Sequence, residues 1–286
     1  MTDLSKNKAG RITGREAAIW ARIHYLRMKA RLTHALWSCS RQGKESVAGL
    51  RRLKGAHAGR RCFVIGNGPS LNQTPMHKLR DEITIGCNGL FLLREQMGFS
   101  PTYYTVEDTL VAEDRGAKIA AVPGSTKIIP RDLHRFVPDT GNTLWIHFLR
   151  SYAPFPSFTD DFSRRVFGGG TVTFLNLQLA WHLGCDPIIL VGVDHNYDTG
   201  FKIQKQGGTW TSLEEDKNHF HPDYFGKGFR WHDPNVECME SSYRHALAVS
   251  CERGFRILNG TVGGRLEVFP RVDVNAVLAT EAPVSL

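Results

Sequence analysis

Short apolar segments alternate with longer helical or polar segments from Gly59 onward, and this alternation constrains the fold more than any other feature of the chain. It is typical of a mostly parallel sheet, because each parallel strand needs a crossover before the next one begins. The predicted fold class is therefore α/β, with a Rossmann-like, mostly parallel sheet. The segments predicted as strands are 62–65, 82–86, 102–106, 127–129, 143–147, 187–191 and 256–258.

Two helices and a long irregular segment are predicted in the second half of the chain. One helix begins at Thr171 and stops at Gly184, and the other runs from about residue 237 to a stop at Gly254. Between them, residues 195–235 form a polar, aromatic and histidine-containing stretch. So long an irregular segment inside a compact domain is usually functional, and it is interpreted as a lid over a site.

The basic charge of the chain is concentrated at its start. Residues 1–61 hold 15 Lys and Arg against three Asp and Glu, whereas residues 62–286 hold 21 against 25. From about residue 15 to residue 53, apolar side chains recur among these charges at helical spacing, which predicts a basic amphipathic helix. The apolar positions are Ile19, Trp20, Ile23, Leu26, Met28, Leu32, Leu36 and Trp37.

Such an arm has three uses that the sequence leaves open: packing on its own protein or on a second copy, lying on an anionic membrane, or binding nucleic acid. No aromatic and basic interleaving of a recognised RNA-binding type is present, so no specific nucleic-acid partner is predicted. The predicted organisation is a basic helical arm over residues 1–58, a catalytic domain over residues 59–275 and a tail over residues 276–286.

Composition places the chain among ordinary globular proteins, with 41% hydrophobic and 22% charged residues in a length of 286. No run approaches about eighteen consecutive apolar residues, and the first ten residues lack the apolar centre of a secretory signal. A cytoplasmic location is therefore expected, peripheral at the inner membrane face if the arm binds lipid. The six cysteines form no Cys-x-x-Cys pair and are interpreted as reduced.

A glycine-containing loop follows the first predicted strand and has the sequence Gly66-Asn67-Gly68-Pro69-Ser70. In parallel sheets, ligands bind where the carboxyl ends of strands meet such loops. Two glycines allow backbone amides to approach an anion closely, and Asn67 and Ser70 add side-chain hydrogen bonds. The loop is a candidate phosphate site, although it is neither a dinucleotide fingerprint nor a Gly-Lys-Ser/Thr loop.

Polar or acidic residues follow three other predicted strands: Asn88 after 82–86, Glu107 and Asp108 after 102–106, and Asp194 with His195 after 187–191. Because the carboxyl ends of parallel strands share one edge, these side chains predict a site there. The run Gly168-Gly169-Gly170, followed by Thr171 at a helix start, offers free amides and the positive end of a helix dipole.

The predicted lid contains His219, His221 and Tyr224. A histidine can accept a proton from an attacking hydroxyl, and a tyrosine can donate a hydrogen bond to a departing phosphate. The two histidines are also consistent with metal ligation or with a structural role, and the spacing alone does not choose between these uses.

Taken together, these motifs resemble the MptE-like family, which is named for an archaeal 6-hydroxymethyl-dihydropterin diphosphokinase. The family also includes the central domain of motility-associated factors implicated in glycosylating flagellin. The resemblance covers roughly residues 60–273. Its motifs are residues 66–71, Asn88, residues 104–108, 192–195, 219–225 and 259–273.

The opening loop, Asn88 and the passage 179–194 are also similar to bacterial sialyltransferases that use CMP-sialic acid without a metal. By that similarity, Asn67, Ser70 and Asn88 would bind the nucleotide, His219 or His221 would be the base, and Tyr224 would lie near the leaving phosphate. Two departures from the pattern concern the donor site. Gly-Gly-Gly-Thr-Val replaces a Ser-Gly pair at the helix start, and Asp108 stands where an asparagine is expected.

The resemblance implies an inverting glycosyltransferase that takes a nucleotide-activated donor, expected to be a CMP-linked acidic sugar, and a glycan or small-molecule acceptor. No cofactor would be required. The alternative is a diphosphokinase that moves diphosphate from ATP to a hydroxymethylpterin-like acceptor, with Mg²⁺ on Asp108 and Asp194. A third interpretation is a nucleotide-binding assembly or regulatory protein whose basic arm docks it to a membrane or to a partner.

Overall fold

The strands predicted from the apolar segments are present in the computed structural model, which describes residues 14–197, 203–206, 209–232 and 234–280. In chain order the strands are β1 Cys62–Ile65, β2 Ile83–Cys87, β3 Tyr103–Thr105, β4 Thr126–Pro130, β5 Thr143–Ile146, β6 Phe148–Leu149, β7 Val166–Phe167, β8 Ile188–Val191, β9 Ile203–Gln206, β10 Thr209–Ser212, β11 Arg230–His232 and β12 Ile257–Asn259. The helices are α1 Gly14–Ser38, α2 Arg41–Leu53, α3 Arg94–Met97, α4 Thr109–Ala120, α5 Val172–His182, α6 Val236–Arg253 and α7 Val274–Ala279.

Seven of these strands form one sheet in the order β12–β8–β1–β2–β3–β4–β5, and every neighbouring pair is parallel. All residues of β1 and β8 are buried, as expected for a parallel sheet that is covered on both faces. The prediction of an α/β, Rossmann-like sheet is therefore confirmed, and each predicted strand is found within one or two residues of its expected bounds.

Helix α5 lies inside the protein and directs its amino end toward the carboxyl edge of the sheet. Its apolar side chains share one core cluster with residues of β1, β2, β8 and α6. Two polar side chains within α5 are buried and paired: Asn176 Oδ1 accepts from Thr105 Oγ1 at 2.6 Å, and Gln178 Nε2 donates to the Phe167 carbonyl at 2.7 Å. Buried polar groups need such partners, so these bonds fix the position of the helix.

The backbone divides into two units, residues 1–44 and residues 45–286. Within the second unit, the carboxyl half of α2 is part of the core. Leu50 is buried in the main cluster, its carbonyl lies 2.8 Å from His182 Nε2, and Ser46 Oγ accepts from the Trp145 amide at 3.2 Å.

The continuous arm helix predicted for about residues 15–53 is wrong, because the chain leaves the helix after Ser38 and begins α2 at Arg41. The break lies at Ser40, whose Oγ accepts a hydrogen bond from the Gly43 amide at 3.1 Å and so caps the second helix. In α1 the exposed large apolar side chains are Tyr25, Met28, Leu32 and Leu36. The side chains of Ile19, Trp20, Ile23 and Leu26 lie outside the described residues.

The predicted lid is more regular than its composition indicated. Strands β9, β10 and β11 form a three-stranded antiparallel sheet, in which the Trp210 and Trp231 rings meet edge to face with centroids 4.8 Å apart. The expectation of a wholly irregular segment is therefore wrong. The polar composition of the segment did not indicate strands, because these pairings join residues that are apart in the sequence, as in the contact between Trp210 and Trp231. Residues 198–202, 207–208 and 233 of the predicted lid lie outside the described residues.

Over the described residues, no helix combines the length and the apolar character needed to cross a membrane.

Candidate functional site

The carboxyl ends of β1, β2, β3 and β8 meet the amino end of α5 around a cavity of about 180 Å³. Asn218, His219, Tyr224 and Phe225, which follow β10 in the predicted lid segment, also line the cavity. The sequence predicted a site at this edge. The cavity brings together most of the candidate residues. Those that line the cavity are Gly66, Asn67, Gly68, Asn88, Asp108, Gly170, Thr171, Asp194, His195, His219 and Tyr224.

Four candidates do not line the cavity: Pro69, Ser70, Gly169 and His221. Gly169 is packed against the core, since a Cβ there would come within 2.4 Å of the Phe174 ring. Pro69 opens the short 3₁₀ helix that leaves the loop. Ser70 donates from Oγ to Asp194 Oδ2 at 2.7 Å, so it positions a neighbouring side chain.

The Gly66–Ser70 loop uses its amides within the protein. The amides of Gly66 and Gly68 donate to the carbonyls of Val191 and Gly192, each at 2.8 Å, and the Ser70 amide donates to Asp194 Oδ1 at 3.2 Å. These three amides are therefore engaged within the protein, and the role of the loop in holding a phosphate stays a prediction. The loop joins the end of β1 to the end of β8.

Asn67 and Asn88 present side-chain oxygens that have no protein partner. The Asn67 amide is oriented by Cys87, whose Sγ accepts from Nδ2 at 3.2 Å while its own thiol donates to the Ile65 carbonyl at 3.5 Å. Asn67 Oδ1 is thereby left free to accept. Asn88 has a left-handed backbone with φ of 49°, which is uncommon outside glycine and recurs at functional sites.

The amino end of α5 is built from Gly170 and Thr171. Gly170 has φ of 76°, a conformation that favours glycine, and Thr171 caps the helix by accepting from the Thr173 amide at 3.3 Å. Both residues line the cavity. The positive end of the helix dipole consequently faces the space where a ligand would lie.

His219 and Asp216 form a dyad at the cavity. Nδ1 of His219 lies 2.7 Å from Asp216 Oδ2, and Asp216 is itself held by the amides of Asn218 and Phe225, both at 2.8 Å. Burial alone would raise the pKa of Asp216, but the hydrogen bonds from His219 and the two amides outweigh it and lower the pKa. An ionised carboxylate on Nδ1 leaves Nε2 as the proton acceptor.

The two lid histidines are therefore not equivalent. His219 lines the cavity and stacks on the Tyr224 ring, with centroids 3.9 Å apart and ring planes at 9°. His221 lies off the cavity, with Nδ1 accepting from the Asp223 amide at 3.1 Å. The positions of the two histidines in the sequence could not show which of them is the candidate base, because that depends on the turn that brings Asp216 to His219.

Arg115 of α4 binds the backbone at Tyr224. The guanidinium donates to the carbonyls of Asp223, at 2.5 Å, and of Tyr224, and it covers the Phe229 ring at 4.2 Å from the centroid. Burial raises the pKa of Tyr224 well above its ordinary value. Tyr224 is consequently a neutral hydrogen-bond donor at the cavity.

Three carboxyl groups line the cavity, and two of them are engaged by protein donors. Asp108 caps α4 by accepting from the Leu110 amide at 2.7 Å, and its other oxygen lies 3.2 Å from His232 Nδ1. Burial alone would raise the pKa of Asp108, yet the bonds from His232 and from the helix amides lower it. Asp194 is bound by Ser70, and its burial raises its pKa above the ordinary value.

Glu107 is the third of these residues, and the sequence placed it at the strand end without a role. Its Oε2 atom is buried and has no protein partner, while its carbonyl accepts from Arg150 Nη1 at 2.6 Å. Burial raises the pKa of the carboxyl to about 7, in spite of the opposing charge of Arg150.

His195 has a left-handed backbone, with φ of 51°, which is strained outside glycine. Its imidazole is buried, and the side chain is 3% exposed. Burial lowers its pKa, even though Glu240 Oε1 lies 3.5 Å from Nε2. Among the residues that the structure describes, no group of three or more His, Cys, Asp and Glu side chains is arranged to hold a metal ion.

A protein-family model described as "6-hydroxymethylpterin diphosphokinase MptE-like" matches residues 41–200, which is more than half of the chain. The chain belongs to the MptE-like family. The part that matches the MptE-like model holds the ends of β1, β2, β3 and β8 and the start of α5. His219 and Tyr224 follow it, so the part of the cavity that includes the dyad lies beyond the matched region.

Among solved structures, this MptE-like chain is similar to a mammalian sialyltransferase in complex with Gal-beta-1-3GalNAc-ortho-nitrophenol. The sequences are 14% identical, the match covers 83% of this chain and 85% of the other, and the TM-score is 0.36. A likeness at this level carries no argument about function. No curated protein matches the sequence closely enough to count as a relative.

Proposed function

We propose that this protein is a transferase that moves a sugar from a nucleotide-activated donor to a hydroxyl group, with His219 as the general base. The observation that carries the proposal is the Asp216–His219 dyad at the edge of the cavity. A base must lie where a substrate proton can reach it, and of the two lid histidines only His219 meets this requirement.

In the proposed reaction, His219 Nε2 accepts the proton of the acceptor hydroxyl as the acceptor oxygen forms a bond to the anomeric carbon. The bond from that carbon to the donor phosphate breaks, and the electron pair leaves with the phosphate oxygen. Attack from the face opposite the phosphate inverts the anomeric carbon. Asp216 holds the imidazole in the accepting tautomer and stabilises the positive charge that the ring gains.

The donor phosphate is proposed to lie at the amino end of α5, beside Gly170 and Thr171. The helix dipole and the first amides favour an anion there. Tyr224 would donate a hydrogen bond to the leaving phosphate, and Asn67 and Asn88 would accept hydrogen bonds from the nucleoside. A CMP-linked acidic sugar is the proposed donor, on the similarity of the opening loop and Asn88 to bacterial sialyltransferases.

A diphosphokinase is the second candidate, and the description of the matching family model favours it. The reaction would need Mg²⁺, for which Asp108 and Asp194 were the predicted ligands. The residues do not fit a ready-made ion site, because oxygens of Asp108 already bind helix amides and His232, and both oxygens of Asp194 bind Ser70.

Ligand-dependent thermal stability separates these functions. A nucleotide at about a hundred times its Kd stabilises the folded state by about 2.7 kcal/mol. The proposal predicts stabilisation by CMP, undiminished by EDTA, and weaker or no stabilisation by CDP, UDP, GDP and ATP. Stabilisation by ATP that requires Mg²⁺, with no response to CMP, would replace the proposal with the diphosphokinase.

A further inference from the structure

We propose that the Glu107 side chain binds the donor in its protonated form, donating a hydrogen bond to the phosphate held at the amino end of α5. This inference rests on the proposed function, because it assumes a phosphate-bearing ligand in the cavity. It adds a residue that sets how binding depends on pH.

Glu107 has one carboxyl oxygen for which the protein supplies no partner. The residue follows β3 and lines the cavity, and its Oε2 atom is buried. The nearby guanidinium of Arg150 is directed to the backbone carbonyl of Glu107 at 2.6 Å. A buried oxygen left unpaired is costly, so its position on a cavity wall indicates a ligand that completes the bond.

The neighbours of this carboxyl place it beside the start of α5. The Glu107 charge adds to burial in raising the pKa of Tyr152, Cys238 and Tyr243, so all three lie within its field. Each of them touches the segment 168–171. Tyr152 Oη donates to the Gly168 carbonyl at 2.6 Å, Tyr243 Oη to Thr171 Oγ1 at 3.5 Å, and Cys238 Sγ lies 3.0 Å from where a Cβ on Gly170 would be.

A second unpartnered side chain independently indicates a ligand in the same cavity. Asn67 is only 9% exposed, its amide is oriented by Cys87, and its Oδ1 has no protein partner. Asn67 and Glu107 follow β1 and β3, the two neighbours of β2. Adjacent strands lie about 4.8 Å apart, so β1 and β3 are about 10 Å apart, a distance that one nucleotide can span.

The charges around Glu107 favour its neutral form once a phosphate binds. Arg150 is the cation that lowers its pKa, and Asp108 is the anion that raises it. The other titratable groups that interact with it are Tyr152, Cys238 and Tyr243, together with Cys87 on β2. In the free protein the pKa is about 7, and burial is the main cause. A phosphate would raise it further, because two like charges disfavour each other and only the protonated carboxyl can donate.

Binding should therefore take up a proton, and affinity should fall as pH rises above the pKa of the free carboxyl. The probe is the methyl ester of CMP, a phosphodiester whose charge does not change over the range from about pH 6 to about pH 8.5. For the wild type we expect Kd to weaken by about tenfold per pH unit above neutrality, with proton uptake in calorimetry. Glu107→Gln cannot ionise, so its Kd should not change with pH and should be about tenfold tighter than wild type near pH 8.

Glu95→Gln is the matched control, since Glu95 is an exposed glutamate on α3 that does not line the cavity. It should keep the pH dependence of the wild type, and circular dichroism checks that both variants are folded. If Glu107→Gln binds the ester with an unchanged pH dependence, the role of Glu107 is overturned and the proposed function stands. If neither wild type nor variant binds the ester at any pH, both proposals are overturned.

Discussion

At the scale of single residues, Gly68 shows how closely the loop after β1 fits the loop after β8. A Cβ on Gly68 would lie 1.7 Å from Asp194 Oδ2. Its backbone, with φ of −73° and ψ of 160°, is one that any residue adopts, so the requirement for glycine comes from the neighbour. The same carboxylate holds Ser70 and completes the wall of the cavity.

Gly68→Ala is therefore expected to destabilise the protein by about 1–3 kcal/mol, as overpacked substitutions do. Because the conflict is with one side chain, the cost should be smaller in an Asp194→Ala background. Denaturant unfolding of the two single variants and the double variant measures this coupling, expected at about 0.5–3 kcal/mol. Strictly additive costs would show that Asp194 is not what Gly68 accommodates.

At the scale of secondary-structure elements, residues of α4 contact the predicted lid segment at several points. Asp108 caps the helix and meets His232 of β11, and Arg230 of the same strand lies 2.5 Å from Asp114. Further along α4, Arg115 binds the carbonyls of Asp223 and Tyr224. The helix that begins at the cavity edge thus also positions Tyr224, on whose ring His219 stacks.

The contact between Asp108 and His232 predicts a pH-dependent stability. The hydrogen bond to Asp108, followed by the charge of that carboxylate, raises the pKa of His232 above its ordinary value. A raised histidine pKa contributes stability that is fully present below about pH 6.5 and is lost as pH rises through the folded-state value. The lowered pKa of Asp108 keeps this contribution until the solution is acidic enough to protonate the carboxylate.

His232→Gln should consequently lower the midpoint of thermal unfolding more at about pH 6 than at about pH 8.5. His77→Gln, at an exposed position in a short 3₁₀ helix, is the control and should show no such difference. An equal deficit for His232→Gln at both values would mean that the contact does not depend on the imidazolium.

At the scale of the whole molecule, the part of the basic arm that forms the first unit, residues 1–44, has no assigned partner. Residues 1–44 hold ten Lys and Arg against two Asp and Glu, and α1 exposes Tyr25, Met28, Leu32 and Leu36. Basic charge beside exposed apolar side chains suits an anionic lipid surface, where both contribute to binding. Binding to a membrane surface is accordingly the use that we favour.

The full chain should sediment with anionic liposomes at low ionic strength and be released by salt, which screens such attraction. Removal of residues 1–44 should abolish sedimentation and spare nucleotide binding. The truncation ends there because Ser46 and Leu50 belong to the core of the second unit. A full-length protein that ignores such liposomes at low salt would show that α1 serves another contact.

The sequence predicted the parallel sheet well because a strand such as 62–65 is a local apolar run that ends at glycine. It also predicted the edge at which the candidate residues come together, since polar residues follow the strands there. It did not predict that the amides of Gly66, Gly68 and Ser70 donate to the end of β8 and the residues after it, because these bonds join residues more than a hundred positions apart. Nor did it identify Asp216, because its role depends on the turn that brings its carboxylate within hydrogen-bond distance of His219.

The most direct test of the account is the turnover of His219 variants with a CMP-activated acidic sugar as donor. His219→Asn should lower kcat by about 10² to 10⁴ with nucleotide affinity nearly unchanged, because it removes the base and little binding. Asp216→Asn should lower kcat by a smaller factor, and His221→Asn, off the cavity, should retain it. Wild-type turnover in His219→Asn, or an equal loss in His221→Asn, would contradict the assignment of His219 as the base.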